Sequence, residues 1–261
     1  MMMTADTAAG RKSPRSYDGG MQSRTRLRAL WPFAPYAVVA LVHVIALATH
    51  SPLAVPTKAL LMPLLAIPVV LAWKALAPRG GAVLLTVALF FSWLGDEAGL
   101  FFPFAPELPL MLGFFGLAHV AYIVLFLRHL RVRRLPLWTV VYVLWWLFMI
   151  AVLGPHTGSL FAAVAAYGIV LAGTAATSAR CRAMIAWGGV FFLSSDSILA
   201  FRLFLPDAMP DWTSPAVMIT YTIGQGLIVA GALLTLRHGG TAPAPAGAPT
   251  GVVDRGTESL A

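Results

Sequence analysis

Of 261 residues, 59% are hydrophobic and 11% charged, and the mean hydropathy is +0.81, which excludes an ordinary soluble domain. The formal net charge of +8 sits in the tails and in alternate short joints, where it records membrane orientation and not nucleic acid binding. A single cysteine, Cys181, excludes an intrachain disulfide and a thiolate-built zinc or iron–sulfur centre; its expected role is that of a small residue near a helix start.

Residues 1–28 hold six Lys or Arg and no apolar period, which predicts a disordered basic tail. Ala46-Leu47-Ala48 has the look of a cleavage site, but the long leader before it and the spans after it favour an uncleaved first helix. Requiring ~20 apolar residues per crossing, eight spans are expected at 31–49, 57–77, 81–102, 108–128, 136–153, 158–178, 183–205 and 214–236. The fold class is therefore all-α, a polytopic membrane helix bundle occupying 29–238. Joints such as SPLAVP, APRGG and GPHTG carry the turn chemistry this requires. Lys74 and Arg79, then Arg128, Arg131, Arg133 and Arg134, then Arg180 and Arg182, and finally Arg237 and Arg255 fall on the side of the basic N-terminal tail. The positive-inside rule then places both termini in the cytoplasm. Residues 239–261, beginning GGTAPAPAGAPTG, read as a disordered low-complexity tail.

Two spans carry an acid. FFSWLGDEAGLFF at 90–102 holds Asp96, and GGVFFLSSDSILAF at 188–201 holds Asp196. An ionised carboxylate at such depth costs at least ~2.5 kcal/mol, so each marks a functional position facing other helices or water. With spans three and seven running the same way, a ~1.5 Å rise per residue sets both acids about two thirds of the way across. The two motifs lie 100 positions apart, with Phe91 matching Phe191 and Phe101 matching Phe201, which suggests a parallel repeat of four helices plus four. Glu97 points ~100° away from Asp96 on a helix and is expected to pair or to reach the interface.

In span four Gly113, Gly116, His119 and Tyr122 recur every three residues along one face. The glycines allow a neighbouring backbone to come close, and His119 then points into a helix contact, either as packing glue or as a proton carrier beside Asp96. Span eight places Tyr221 and Gln225 one turn apart, with Gly224 and Gly226 beside the amide; a buried glutamine needs partners, and a substrate or a water held by an aspartate would serve as well as a helix contact. Ser194, Ser195 and Ser197 surround Asp196, where a serine ordinarily bonds to the backbone one turn back. Lys58 and Arg202 sit at the outer end, free either to snorkel or to grip a lipid phosphate above the carboxylates. Trp31, Trp138, Trp187 and Trp212 read as interfacial belt residues.

TKALLMPL at 57, SWLGDEAGL at 92, FFGLAHVAYI at 114, GGVFFLSSDSILAF at 188 and YTIGQGLI at 221 resemble, in order, the YhhN family of membrane proteins, whose animal members are lysoplasmalogenases. The likeness runs over about residues 55–235. Two positions depart from the family pattern: Ala59 follows Lys58 where proline is usual, and Glu97 stands where an apolar residue is usual. The resemblance implies hydrolysis of the vinyl ether bond of lysoplasmalogen, giving a fatty aldehyde and glycerophospho-ethanolamine or glycerophospho-choline. That chemistry suits paired carboxylates, since protonating a vinyl ether creates an oxocarbenium ion of the kind glycosidases stabilise. The expected catalytic residues are Asp96, Asp196 and His119, and the expected substrate contacts are Lys58, Tyr122, Ser195, Arg202, Tyr221 and Gln225. No cofactor and no metal is expected; His43, His50 and His119 lack ligand spacing. The expected partners are a lysophospholipid substrate and membrane lipids, and the expected location is the inner (cell) membrane of a bacterium. The competing class is a small proton- or cation-coupled transporter using the same aspartates, and a third is a lipid-binding regulatory protein without turnover.

Overall fold

The computed structural model describes residues 31–238; the tails expected at 1–28 and 239–261 lie outside the described residues. The described residues form eight long helices and no strand: α1 (Ala34–Ala48), α2 (Ala54–Ala72), α3 (Arg79–Asp96), α4 (Glu107–Leu125), α5 (Val141–Leu153), α6 (Phe161–Ser178), α7 (Ala183–Phe204) and α8 (Thr213–His238). Short 3-10 turns lead into α1, α5 and α6, and a π-helical turn, Phe126–Leu130, extends α4. Seven of these helices, with their flanking turns, are long and apolar enough to cross a membrane. The chain is thus an integral membrane protein built as a polytopic helical bundle.

The exception is α3, whose 18 residues run from Arg79 to Asp96. Span three was expected to continue to residue 102, but the helix ends at Asp96 and a separate turn, Ala98–Phe101, follows. Asp96 therefore sits at a helix C-terminus. An ionised carboxylate there would oppose the helix dipole, and Lys58 places a positive charge beside it, donating from Nζ to the Asp96 backbone carbonyl at 2.6 Å. That carbonyl is one of the four a helix end leaves unbonded.

The bundle has two chemically distinct ends. At one, the joints are tied together: the Ala77 amide donates to the Leu236 carbonyl at 3.1 Å and the Val132 amide to the Arg180 carbonyl at 2.9 Å. Nine of the eleven Lys and Arg among the described residues belong to this end, leaving Lys58 and Arg202 at the other.

Helix α8 is the most buried of the seven spans, and it packs most extensively on α7. The pair comes into backbone contact at Gly188 and Gly224. A Cβ on Gly188 would lie 2.9 Å from the Gly224 carbonyl oxygen, and one on Gly224 would lie 2.9 Å from the Phe192 nitrogen. Small residues let helices approach this closely where lipid offers no hydrophobic drive. On α2, Pro63 has no N–H to give the Ala59 carbonyl one turn back; the Trp93 indole of α3 supplies the bond at 2.9 Å. Neighbouring helices commonly satisfy backbone groups that proline frees in a membrane. Outward-facing Val38, Leu41, Val70, Leu71, Leu144 and Ile169 are each more than half exposed, as a lipid-facing surface requires, and Trp31, Trp138, Trp187 and Trp212 are exposed as well.

Candidate active site

The two aspartates anchor two polar networks. In the first, Ser92 and Asp96 lie one turn apart on α3, as Tyr221 and Gln225 do on α8, so each helix offers one polar ridge. The Tyr221 hydroxyl donates to Asp96 Oδ2 at 2.7 Å. The Gln225 amide nitrogen donates to Ser92 Oγ at 3.1 Å and to the Tyr221 oxygen at 3.4 Å, while its carbonyl oxygen accepts the Tyr122 hydroxyl of α4 at 2.6 Å. Every one of these groups is buried. The amide is thereby fixed in one orientation, with both of its ends bonded.

In the second network the Tyr167 hydroxyl of α6 donates to Asp196 Oδ2. His119 Nε2 lies 3.2 Å from the Tyr167 oxygen and 3.7 Å from Asp196 Oδ2. Its Nδ1 is 3.0 Å from Thr174 Oγ1, and Thr174 gives its single proton to the Val170 carbonyl at 2.9 Å. The imidazole therefore donates from Nδ1, and its Nε2 faces the oxygens of Tyr167 and Asp196. Beside them the Trp145 indole of α5 donates to Ser197 Oγ at 3.1 Å.

Aromatic rings stand between the networks. Phe192, one turn before Asp196, meets Tyr221 edge-on at 5.4 Å and His119 at 4.8 Å; Phe115, one turn before His119, meets Tyr221 at 6.1 Å. The acids therefore share no hydrogen bond. Asp196, with Tyr167 and Ala200, borders two narrow apolar crevices, one against Trp145, Trp146 and Phe161 and the other against Met111, Phe115 and Leu203.

The remaining expected residues take other places. Ser195 donates to the Val217 carbonyl at 3.0 Å and so joins α7 to α8 without facing Asp196; Ser194 and Ser197 bond to carbonyls one turn back. Arg202 donates to Thr213 Oγ1 at 2.5 Å and to the Pro210 carbonyl at 3.3 Å, clamping the α7–α8 joint. Lys58 and Arg202 also line a wide cleft at their end of the bundle. Gly113 and Gly116 do not admit a neighbouring backbone: a Cβ on either meets nothing within 4 Å, and both face a groove between α4 and α6. Glu97 neither pairs nor reaches the surface, being 4% exposed with Oε1 lacking a hydrogen-bond partner, because the chain turns immediately after α3. Tyr167 and Thr174 escaped the sequence reading. The available signal was a tyrosine and a threonine seven residues apart, on one face of the Ala- and Gly-rich FAAVAAYGIVLAGTAATS.

Among the described residues no three His, Cys, Asp or Glu side chains converge as metal ligands. Cys181, in the α6–α7 joint, is fully buried, and burial pushes its thiol up to about 12, as befits an inert packing residue.

No curated protein and no solved structure matches this chain. The sequence model of the YhhN family matches residues 53–232, a stretch that begins just before Lys58 and takes in both aspartates, His119, Tyr167 and Gln225. With most of its length so matched, and with its helical membrane architecture, the chain belongs to the YhhN family.

Proposed function

We propose that this membrane protein hydrolyses the vinyl ether bond of lysoplasmalogen or a closely related lysolipid, in the inner (cell) membrane of a bacterium, with its arginine-rich end in the cytoplasm. Family membership supports a hydrolase of this kind. The observation that carries the reading is the position of Asp196, bonded by Tyr167 and approached by His119, where two apolar crevices meet. The alkenyl chain of such a substrate is apolar up to the bond that breaks, so a carboxyl bordering hydrocarbon-lined space suits its chemistry.

Asp196, as the acid, gives its proton to the β-carbon of the vinyl ether, and the double-bond electrons form the new C–H bond. The adjacent carbon and the ether oxygen then share a positive charge. Asp96, oriented by Tyr221, stabilises that charge through space, as the second carboxylate does in glycosidases. Water adds to the charged carbon and returns a proton to Asp196, with His119 Nε2 and the Tyr167 hydroxyl in place to relay it. The hemiacetal collapses when its hydroxyl proton passes to the glycerol oxygen, releasing aldehyde and glycerophospho compound with one water consumed. Neither a metal nor a cofactor takes part in this scheme.

Purified protein incubated with lysoplasmalogen should release fatty aldehyde detectable by mass spectrometry. Passage of unchanged substrate across sealed vesicles, with no aldehyde, would replace this reading with the transporter.

A further inference from the structure

Both cations of the arginine-poor end line a single cleft of about 280 Å³ among α1, α2, α7 and α8. Lys58 spends one of its three N–H donors on the Asp96 carbonyl, and Arg202 bonds to Thr213 and Pro210 through a single nitrogen, Nη1; each keeps further donors for a ligand. The cleft is also lined by His43 of α1. That residue is 1% exposed, and its Nε2 has no hydrogen-bond partner. Burying a polar atom without a partner is unfavourable, so an unpartnered nitrogen on a residue that lines a charged cleft points to a ligand.

The kind of ligand follows from proton bookkeeping. His43 Nδ1 is 2.9 Å from Thr57 Oγ1, and Thr57 gives its single proton to the Leu53 carbonyl at 2.5 Å. Nδ1 must therefore be the donor, and in the neutral ring Nε2 presents a lone pair. A lone pair repels a phosphate oxygen and accepts a hydroxyl. Cations for a phosphate and an acceptor for a hydroxyl thus lie in one cleft, next to the carbonyl of a catalytic aspartate. The apolar crevice at Asp196 and this cleft share Leu199 as a wall.

We propose that this cleft binds a glycerol phosphate group carrying a free hydroxyl, with Lys58 and Arg202 on the phosphate and His43 Nε2 accepting the hydroxyl. This rests on the hydrolase reading for the ligand's attachment to a lipid, and it makes His43 the residue that selects a lysolipid over a lipid acylated at that oxygen. The test uses the full-length protein in nanodiscs and two probes without a vinyl bond: an alkyl-ether lysophosphatidylcholine and its analogue lacking the free hydroxyl. The hydroxylated probe should bind about tenfold more tightly, the size of one good hydrogen bond to a buried group. His43→Phe, which keeps ring volume and removes the acceptor, should abolish that preference; His43→Gln, which keeps an acceptor, should retain it. Lys58→Gln should weaken both probes equally. Equal binding of the two probes to the wild type, or an undiminished preference in His43→Phe, overturns the proposal. Soluble glycerol phosphate binding as tightly as the lipid, with the same dependence on His43, would keep the site and assign its ligand to water. A preference for the hydroxyl in a protein that cleaves no vinyl ether would end the hydrolase reading alone; cleavage without the preference would end this one alone.

Discussion

The Asp96 and Asp196 networks use similar residues to different ends. Around Asp96, Ser92, Tyr122, Tyr221 and Gln225 bond to one another in a closed set contributed by three helices. Around Asp196, Tyr167 and His119 approach the carboxyl, which borders two apolar crevices that Tyr167 also lines. A closed set orients its members and resists change. An open one leaves a group available to react. In the proposed hydrolysis the first network places charge and the second transfers the proton.

The largest effect that bears on this contrast is expected for Asp196→Asn, which keeps the shape and removes the transferable proton. Aldehyde release should fall by about 10³-fold or more, with the melting temperature in detergent little changed; near-normal turnover would remove Asp196 from the chemistry. Asp96→Asn should lower turnover by about 10²-fold, the scale of losing one electrostatic contact to a transition state. Full activity there would reduce the first network to packing. Gln225→Leu should cost roughly 1–3 kcal/mol for each polar group stranded, read as a clear drop in melting temperature. The same change made at Thr174, as Thr174→Val, should leave the fold more nearly intact and slow turnover through loss of the His119 tautomer. The smallest effect belongs to Ser195→Ala, about 0.6 kcal/mol for one interhelical hydrogen bond in a membrane, with turnover unchanged; a large loss of turnover would restore Ser195 to the site.

Much of this architecture is legible in the sequence because bilayer thickness fixes helix length and short joints fix antiparallel neighbours. The helices fall close to their expected ranges, and the grouping of Tyr221 and Gln225 near an aspartate follows from the need of buried amides for partners. Periodicity identifies a face but not what fills the space opposite. Gly113 and Gly116 share a face with His119, yet the neighbouring helix stands away from them. Helix α3 stops at Asp96 because lipid length constrains a helix only where it is continuously apolar, and GDE interrupts the run. Tyr167 was hidden by its surroundings: a lone tyrosine among alanines reads as packing until a carboxylate on another helix is seen to accept its proton. The separation of the two acids by Phe115 and Phe192 is likewise a tertiary fact, since each ring lies one turn from the residue it screens and either face was open to it.

Helix α5 carries only three buried residues, Tyr142, Met149 and Leu153, and it is held by two indole hydrogen bonds, from Trp145 to Ser197 and from Trp146 to the Ala165 carbonyl. It is also the outer wall of one crevice at Asp196. The least firmly attached helix of the bundle thus borders the carboxyl to which the proposed hydrolysis gives the acid role. A guest already dissolved in the bilayer would meet a sideways door there, and an oily product would have no need to cross water on its way out.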